Sequence, residues 1–111
     1  MGSFAAGQVI LVRFPFSDLT ASKLRPAVVL AEAGRGDWIL CQITSNSYSD
    51  PKAIPLSTAD FARGSLRVAS YFRPGKLFTA HGSLVAGQPG ELKAEIFSAV
   101  RDAVVRIIQN G

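Results

Sequence analysis

The sequence predicts a small, mainly β domain closed by one C-terminal helix, and three observations carry that prediction. Short runs rich in Val, Ile, Leu and Phe recur from Gln8 to Thr79, each of strand length and bounded by Gly, Pro, Asn or Ser. After Pro89 the pattern changes: Leu92, Ile96, Ala99, Val100, Ala103, Val104 and Ile107 recur at three- and four-residue spacing, which is one face of a helix. The chain has 111 residues, 48% hydrophobic and 18% charged, the size of one domain with enough apolar surface to bury a core.

Taken in order, Gln8 to Phe14 is a core strand, with Gly7 before it and Pro15 after it. The polar stretch from Ser17 to Lys23 follows as a loop, and Pro26 to Glu32 is the next strand. Pro26 biases Arg25 toward extended backbone and donates no ladder hydrogen bond, so it belongs at the first position of its strand. Ala33-Gly34-Arg35-Gly36 is a tight turn, and Asp37 to Thr44 pairs back as an antiparallel hairpin. Thr44 to Pro51 is too polar for a core and reads as a loop. Lys52 to Leu56 is an edge strand, because Pro55 rules out a central position. Ser57 to Gly64 predicts a brief helical turn with Ser57 as N-cap and Gly64 as its stop. The alternation of Leu66, Val68 and Ser70 predicts a half-exposed strand over Ser65 to Tyr71, followed by a turn at Arg73-Pro74-Gly75 and a further strand from Lys76 to Thr79. Gly87-Gln88-Pro89-Gly90 precedes an amphipathic helix of about 18 residues. Phe97 and Val105 widen its apolar stripe, which favours a broad core face over a partner surface.

The net charge of +4 is concentrated in the body of the chain. Between Arg13 and Lys76 stand nine basic residues against five acidic ones, whereas beyond Lys76 three of each sign cancel. A polyanion is therefore a candidate partner for the body and not for the C-terminal segment; a solvated surface with a modest excess is the plainer alternative. No apolar run reaches 18 residues, and Met1-Gly2-Ser3-Phe4 lacks a basic and apolar leader, so neither a membrane span nor a signal peptide is expected. The single cysteine, Cys41, lies in an apolar stretch, which predicts a buried thiol and a reducing, cytoplasmic setting. One His, one Cys and scattered carboxylates make no metal-ligand set, and Gly34-Arg35-Gly36 lacks the following helix of a phosphate loop. No cofactor is expected.

Two places remain as candidate sites. Arg25 is expected at a loop mouth, where a strand would hold its backbone and leave its guanidinium at the mouth; the alternative is a surface arginine that merely ends a loop. Thr44-Ser45-Asn46-Ser47-Tyr48-Ser49-Asp50-Pro51 is the second, rich in small hydroxyl and amide residues.

Three segments at these intervals, Gly7-Gln8-Val9-Ile10-Leu11-Val12, Leu24-Arg25-Pro26-Ala27-Val28-Val29-Leu30 and Gln42-Ile43-Thr44-Ser45, resemble the MazF/PemK family of toxins from type II toxin–antitoxin systems. Gly64-Ser65-Leu66 and the C-terminal helix fit the same pattern, so the likeness covers nearly the whole chain. The resemblance implies an SH3-like, CcdB/PemK-type barrel, a homodimer, and metal-independent cleavage of single-stranded RNA at short sequences. It also implies a cognate antitoxin whose acidic, disordered tail lies across the RNA groove, and no membrane partner. By the same resemblance Arg25 and Thr44 are the catalytic arginine and threonine, with Ser45 beside them.

Those residue types suit the chemistry. When a 2′-hydroxyl attacks the adjacent phosphorus, a base takes its proton, an acid protonates the leaving 5′-oxygen, and a cation stabilises the added negative charge. A permanently charged, forked guanidinium suits the last task, and a hydroxyl can hold a non-bridging oxygen in line. Asp18 is the candidate proton acceptor by position in the loop, the alternative being a turn former. Lys23, Ser45, Arg73, Tyr48 and Lys76 are assigned to the RNA surface, Arg73 as a second cation and Tyr48 as a stacking platform. The chain departs from the family at two places. Leu24 stands before the Arg-Pro pair where many relatives carry a polar residue, and Ser70-Tyr71 stand where an acidic one is common. Two other functions therefore stay in play: a catalytically degenerate RNA-binding module of the same fold, and a protein-directed, gyrase-type toxin.

Overall fold

A computed structural model describes residues 4–15, 22–47 and 49–111; for residues 14, 15, 22 and 23 it describes the backbone alone. Strands β1 (Gln8–Pro15), β2 (Ser22–Gly34), β3 (Asp37–Thr44), β4 (Ile54–Leu56), β5 (Phe61–Gly64), β6 (Ser70–His81) and β7 (Val85–Leu92) are followed by helix α1 (Ala94–Asn110). All pairings are antiparallel, in the order β4-β6-β3-β2-β1-β7-β5, and the sheet curls into a half-barrel.

The central strands owe their continuous apolar runs to burial on both faces. Val9, Val28, Cys41, Ile43 and Phe72 point to one face, where Val100 of α1 joins them and Ile96 and Phe97 pack against the cluster. Ile10, Val12, Ala27, Val29 and Leu40 point to the other, against Trp38, Phe78 and Val85. Neighbouring residues thus serve opposite cores, and no polar position interrupts Val9-Ile10 or Ala27-Val28-Val29.

The β2–β3 hairpin forms as expected, turning at Arg35-Gly36, but β2 begins at Ser22 and not at Pro26. Pairing with β1 extends it back through Arg25, so Pro26 faces Leu11 inside the strand, beyond the last pair with β3 at Ala27–Gln42. The edge positions go to β4, which contains Pro55, and to the four-residue β5. Elsewhere the architecture corrects local readings. Lys52 and Ala53 belong to a turn, so the edge strand begins at Ile54. The expected helical turn is a single 3₁₀ turn, Thr58–Asp60, in which Asp60 Oδ2 accepts the Ser57 backbone N–H at 2.8 Å. Phe61 then leaves it for the core and pairs with Leu92. Gly64 adopts φ +66°, and a Cβ there would stand 2.0 Å from the Pro89 carbonyl oxygen, so it permits the close approach of β5 and β7.

The segment from Ser65 to Ala69 is not a strand. Its alternation is real but has no strand to pair with, and Val68 is exposed. Arg73-Pro74-Gly75 is not a turn but part of β6. Cys41 faces Leu77 and Ile43 faces Phe72, so residues 73–76 bulge opposite Gln42 alone. The interrupted ladder removes the cost of proline's missing N–H, and Pro74 is fully buried there. Gly87 to Gly90 lies inside β7, pairing with β1 and in part with β5. Val100 and Val104 form the buried face of α1; Phe97 turns to the core, whereas Val105 is exposed and does not.

Candidate nucleic-acid interface

The candidate residues gather at one end of the face that carries Val12, Ala27 and Leu40. Arg25 lies directly opposite Val12, and Ala27 lies opposite Gln42. Arg25 and Thr44 each lie two residues beyond that pair, at the same end of their strands and on the same faces as Ala27 and Gln42 by the period of two. Thr44 in turn faces Tyr71, and Tyr71 faces Pro55. Residues directly opposite in antiparallel strands project to the same side, so Arg25, Thr44 and Tyr71 project from one face of β2, β3 and β6. Leu40, Gln42 and Thr44 share this face of β3 by their period of two.

Thr44 is 6% exposed, and its Oγ1 accepts the Asn46 backbone N–H at 3.2 Å, closing a turn as β3 ends. Ser45 follows at the exposed start of the loop. Arg25 and Tyr71 are half-buried, so each has its stem in the sheet and part of its side chain at the surface.

Arg73 enters the same face from the β6 bulge. Its Nε donates to Asp50 Oδ2 at 3.0 Å and its Nη1 to Gln42 Oε1 at 3.5 Å. The side chains of Arg73 and Asp50 are 23% and 16% exposed. Asp50 also accepts the Lys52 backbone N–H on Oδ1 at 2.9 Å. That N–H, followed by the Arg73 guanidinium, holds the Asp50 carboxyl below the usual carboxylate range. The Asp50 N–H donates to Ser47 O at 2.9 Å, and the Ala53 N–H donates to Asp50 O at 3.1 Å, so one aspartate organises the 46–53 loop. Lys76 is exposed at the far end of the bulge.

Cys41 lies beneath this region on the opposite face. Burial pushes its thiol up to about 12, and its Sγ donates to the Arg73 carbonyl at 3.4 Å. It is the buried thiol its apolar surroundings predicted, and it is unsuited to nucleophilic work. Among the described residues no group of three or more His, Cys, Asp or Glu is placed to hold a metal ion. A cleft of about 350 Å³, lined in part by Leu56, Phe61, Leu66 and Val68, contains none of the candidate residues.

Of the residues singled out from the sequence, Arg25, Thr44, Ser45 and Arg73 come to this end of the sheet, joined by Lys76 on the bulge. Asp18 and Tyr48 lie outside the described residues, as does the side chain of Lys23, whose backbone pairs with Phe14. Gln42 and Asp50 were not singled out. Gln42 had a readable signal, a polar residue two positions before Thr44 in an otherwise apolar strand; the partnership of Asp50 with Arg73 spans 23 residues and had none.

The family model described as PemK-like, MazF-like toxin of type II toxin-antitoxin system matches residues 5–108. No curated protein sequence matches. Among solved structures, a chain of the MazE-MazF crystal structure (Form-II) from Deinococcus radiodurans is similar with a TM-score of 0.75 and 19% identity, over 96% of this chain and 96% of that one. An endoribonuclease solved with its cognate antitoxin, from a mycobacterial species, has a TM-score of 0.74 and 12% identity, over 98% and 96%. Toxin MazF-mt6 of Mycobacterium tuberculosis has a TM-score of 0.65 and 17% identity, over 90% and 96%. These similarities place the fold, and the match along nearly all of its length places the chain in the PemK/MazF-like family of type II toxins.

Proposed function

We propose that this toxin is a metal-independent endoribonuclease that cleaves single-stranded RNA by 2′-hydroxyl attack. The observation that carries the reading is that Arg25 and Thr44 project from one face of adjacent strands, each two residues beyond the Ala27–Gln42 pair, at the polar end of the sheet. A phosphate held across β2 and β3 meets a guanidinium from one strand and a hydroxyl from the next. The 2′-oxygen bonds to phosphorus as the phosphorus–5′-oxygen bond breaks, leaving a 2′,3′-cyclic phosphate and a 5′-oxygen that takes a proton from solvent to become a 5′-hydroxyl. Arg25 stabilises the charge gathered on the non-bridging oxygens, and Thr44 keeps the phosphate in line. Asp18 takes the 2′-proton in this scheme. Tyr48, Lys23, Ser45, Arg73 and Lys76 hold flanking nucleotides.

The family supports two further parts of the reading: a homodimer, and inhibition by an antitoxin with an acidic disordered tail. One similar structure is titled an endoribonuclease with its cognate antitoxin, and another a MazE-MazF complex. A cytoplasmic location accords with an RNA target and a reduced thiol; among the described residues no helix is long and apolar enough to cross a membrane.

Incubating purified protein with an RNA and with its 2′-deoxy counterpart, each with EDTA, tests the reaction. Only the RNA is cut, and Arg25→Ala lowers the rate by about 10²–10³. Equal cleavage by the variant overturns the role of Arg25. The exposed Leu24 beside Arg25 supports a second reading, an RNA-binding module without turnover. That reading predicts salt-dependent RNA affinity with no product.

A further inference from the structure

We infer that Asp50 is a positioning residue that fixes the 45–53 loop against the RNA face through Arg73, and so sets how substrate is held rather than how it is cleaved. The inference rests on the endoribonuclease reading for its kinetic consequence, but not for its structural one.

The loop leaves β3 at Thr44 and returns to the sheet at Ile54, so it borders the face from which Arg25, Thr44 and Tyr71 project. Both of its ends are fastened. Near its start, Thr44 Oγ1 takes the Asn46 N–H. Near its end, Asp50 holds the Lys52 N–H with one carboxylate oxygen and Arg73 Nε with the other. The first oxygen shapes the loop locally; the second joins it to another strand. Arg73 is itself steadied from beneath by Gln42, which occupies the same face as Thr44. The pair is mostly buried, where charge-assisted hydrogen bonds are less screened than at an exposed site. The pleat puts residue 73 on the face of Tyr71, two positions away, and the β6 bulge opens the ladder opposite Gln42 at that point. Losing this tie loosens a wall of the groove while leaving Arg25 and Thr44 on their strands. A substrate then binds a less ordered site, and the added ordering cost falls on binding.

Asp50→Asn tests the inference, since the amide keeps an oxygen for Lys52 N–H but loses the charge that holds Arg73. Hydrogen exchange in the RNA-free protein is expected to quicken at the Asp50, Lys52 and Ala53 amides, with the β1–β3 core unchanged. In cleavage assays KM rises about tenfold while kcat stays within about twofold, and Arg73→Lys, which keeps a cation, falls between wild type and Asp50→Asn. A general loss of stability would instead quicken exchange throughout. Unchanged loop exchange in Asp50→Asn overturns the inference, as does a loss confined to kcat. If Asp50→Asn does not fold, Arg73→Lys decides by the same two readouts. If the wild type cuts no RNA, the endoribonuclease reading fails, and loop exchange still decides whether Asp50 fastens the loop.

Discussion

The two faces of the same three strands diverge as they approach the loop end. On the face packed by α1, Cys41, Ile43 and Phe72 are all fully buried and the core runs apolar to the last residues. On the other, Leu40 is equally buried, but Gln42 and Thr44 follow it two and four positions on, with Arg25, Tyr71 and Arg73 on the neighbouring strands. One strand therefore carries a structural residue and a candidate functional one in alternation, Ile43 beside Thr44. A fold can hold reactive groups this way because the apolar face fixes the backbone from which they project.

Paired substitutions separate the two faces most strongly. Phe72→Ala opens a cavity on the helix side and is expected to cost about 3–5 kcal/mol in urea unfolding. Arg25→Ala, half-exposed on the opposite face, is expected to change stability by less than about 1 kcal/mol while lowering RNA cleavage as stated above. Comparable stability losses in the two variants would erase the distinction between faces. Thr44 sharpens it: Thr44→Ser keeps the hydroxyl and is expected to stay within a few-fold of wild-type cleavage, whereas Thr44→Val loses about tenfold or more by the same assay, at the level of one lost hydrogen bond.

Two pH experiments read the faces separately. The folded Cys41 thiol titrates near 12, above its ordinary 9.0, so the folded state holds its proton where the unfolded chain has lost it. Its contribution is whole below pH 9.0 and is lost as pH rises toward 12; Cys41→Ala is expected to flatten that alkaline slope in unfolding measurements. Asp50 has the opposite sign. Its carboxyl is held below 3.8, so its contribution is whole above that pH and is lost as acid protonates the folded form. Asp50→Asn is expected to flatten the acid limb slightly, the smallest effect of the set.

Much of this architecture is legible in the residues. Val9 to Val12, Ala27 to Leu30 and Trp38 to Ile43 are strands by length and β-branching, and they form the centre of the sheet. The 3.6-residue period of Val100, Val104 and their neighbours likewise suffices for α1. Arg25 and Thr44 were each readable as candidates, because one precedes a proline after a polar stretch and the other begins a polar break, although Arg25 proves to lie inside β2 and not at its mouth.

What failed were positions whose local chemistry points one way and whose partners point another. Arg73-Pro74-Gly75 has turn composition, yet β3 and Ile107 of α1 flank it within a bulged strand. Gly87-Gln88-Pro89-Gly90 was placed only as the stretch before the helix, and β1 and β5 supply the pairing that makes it part of β7. Leu66 and Val68 have strand alternation and no strand beside them.

By itself, then, the sequence determined the strands buried on both faces, the amphipathic helix and the residue types of the candidate site, because side-chain periodicity and burial are local properties. That Arg25 and Thr44 share one face of adjacent strands, and that Asp50 holds Arg73, emerges only in the folded chain. Strand register and a bulge set those distances, and both arise from pairing between segments far apart in the chain.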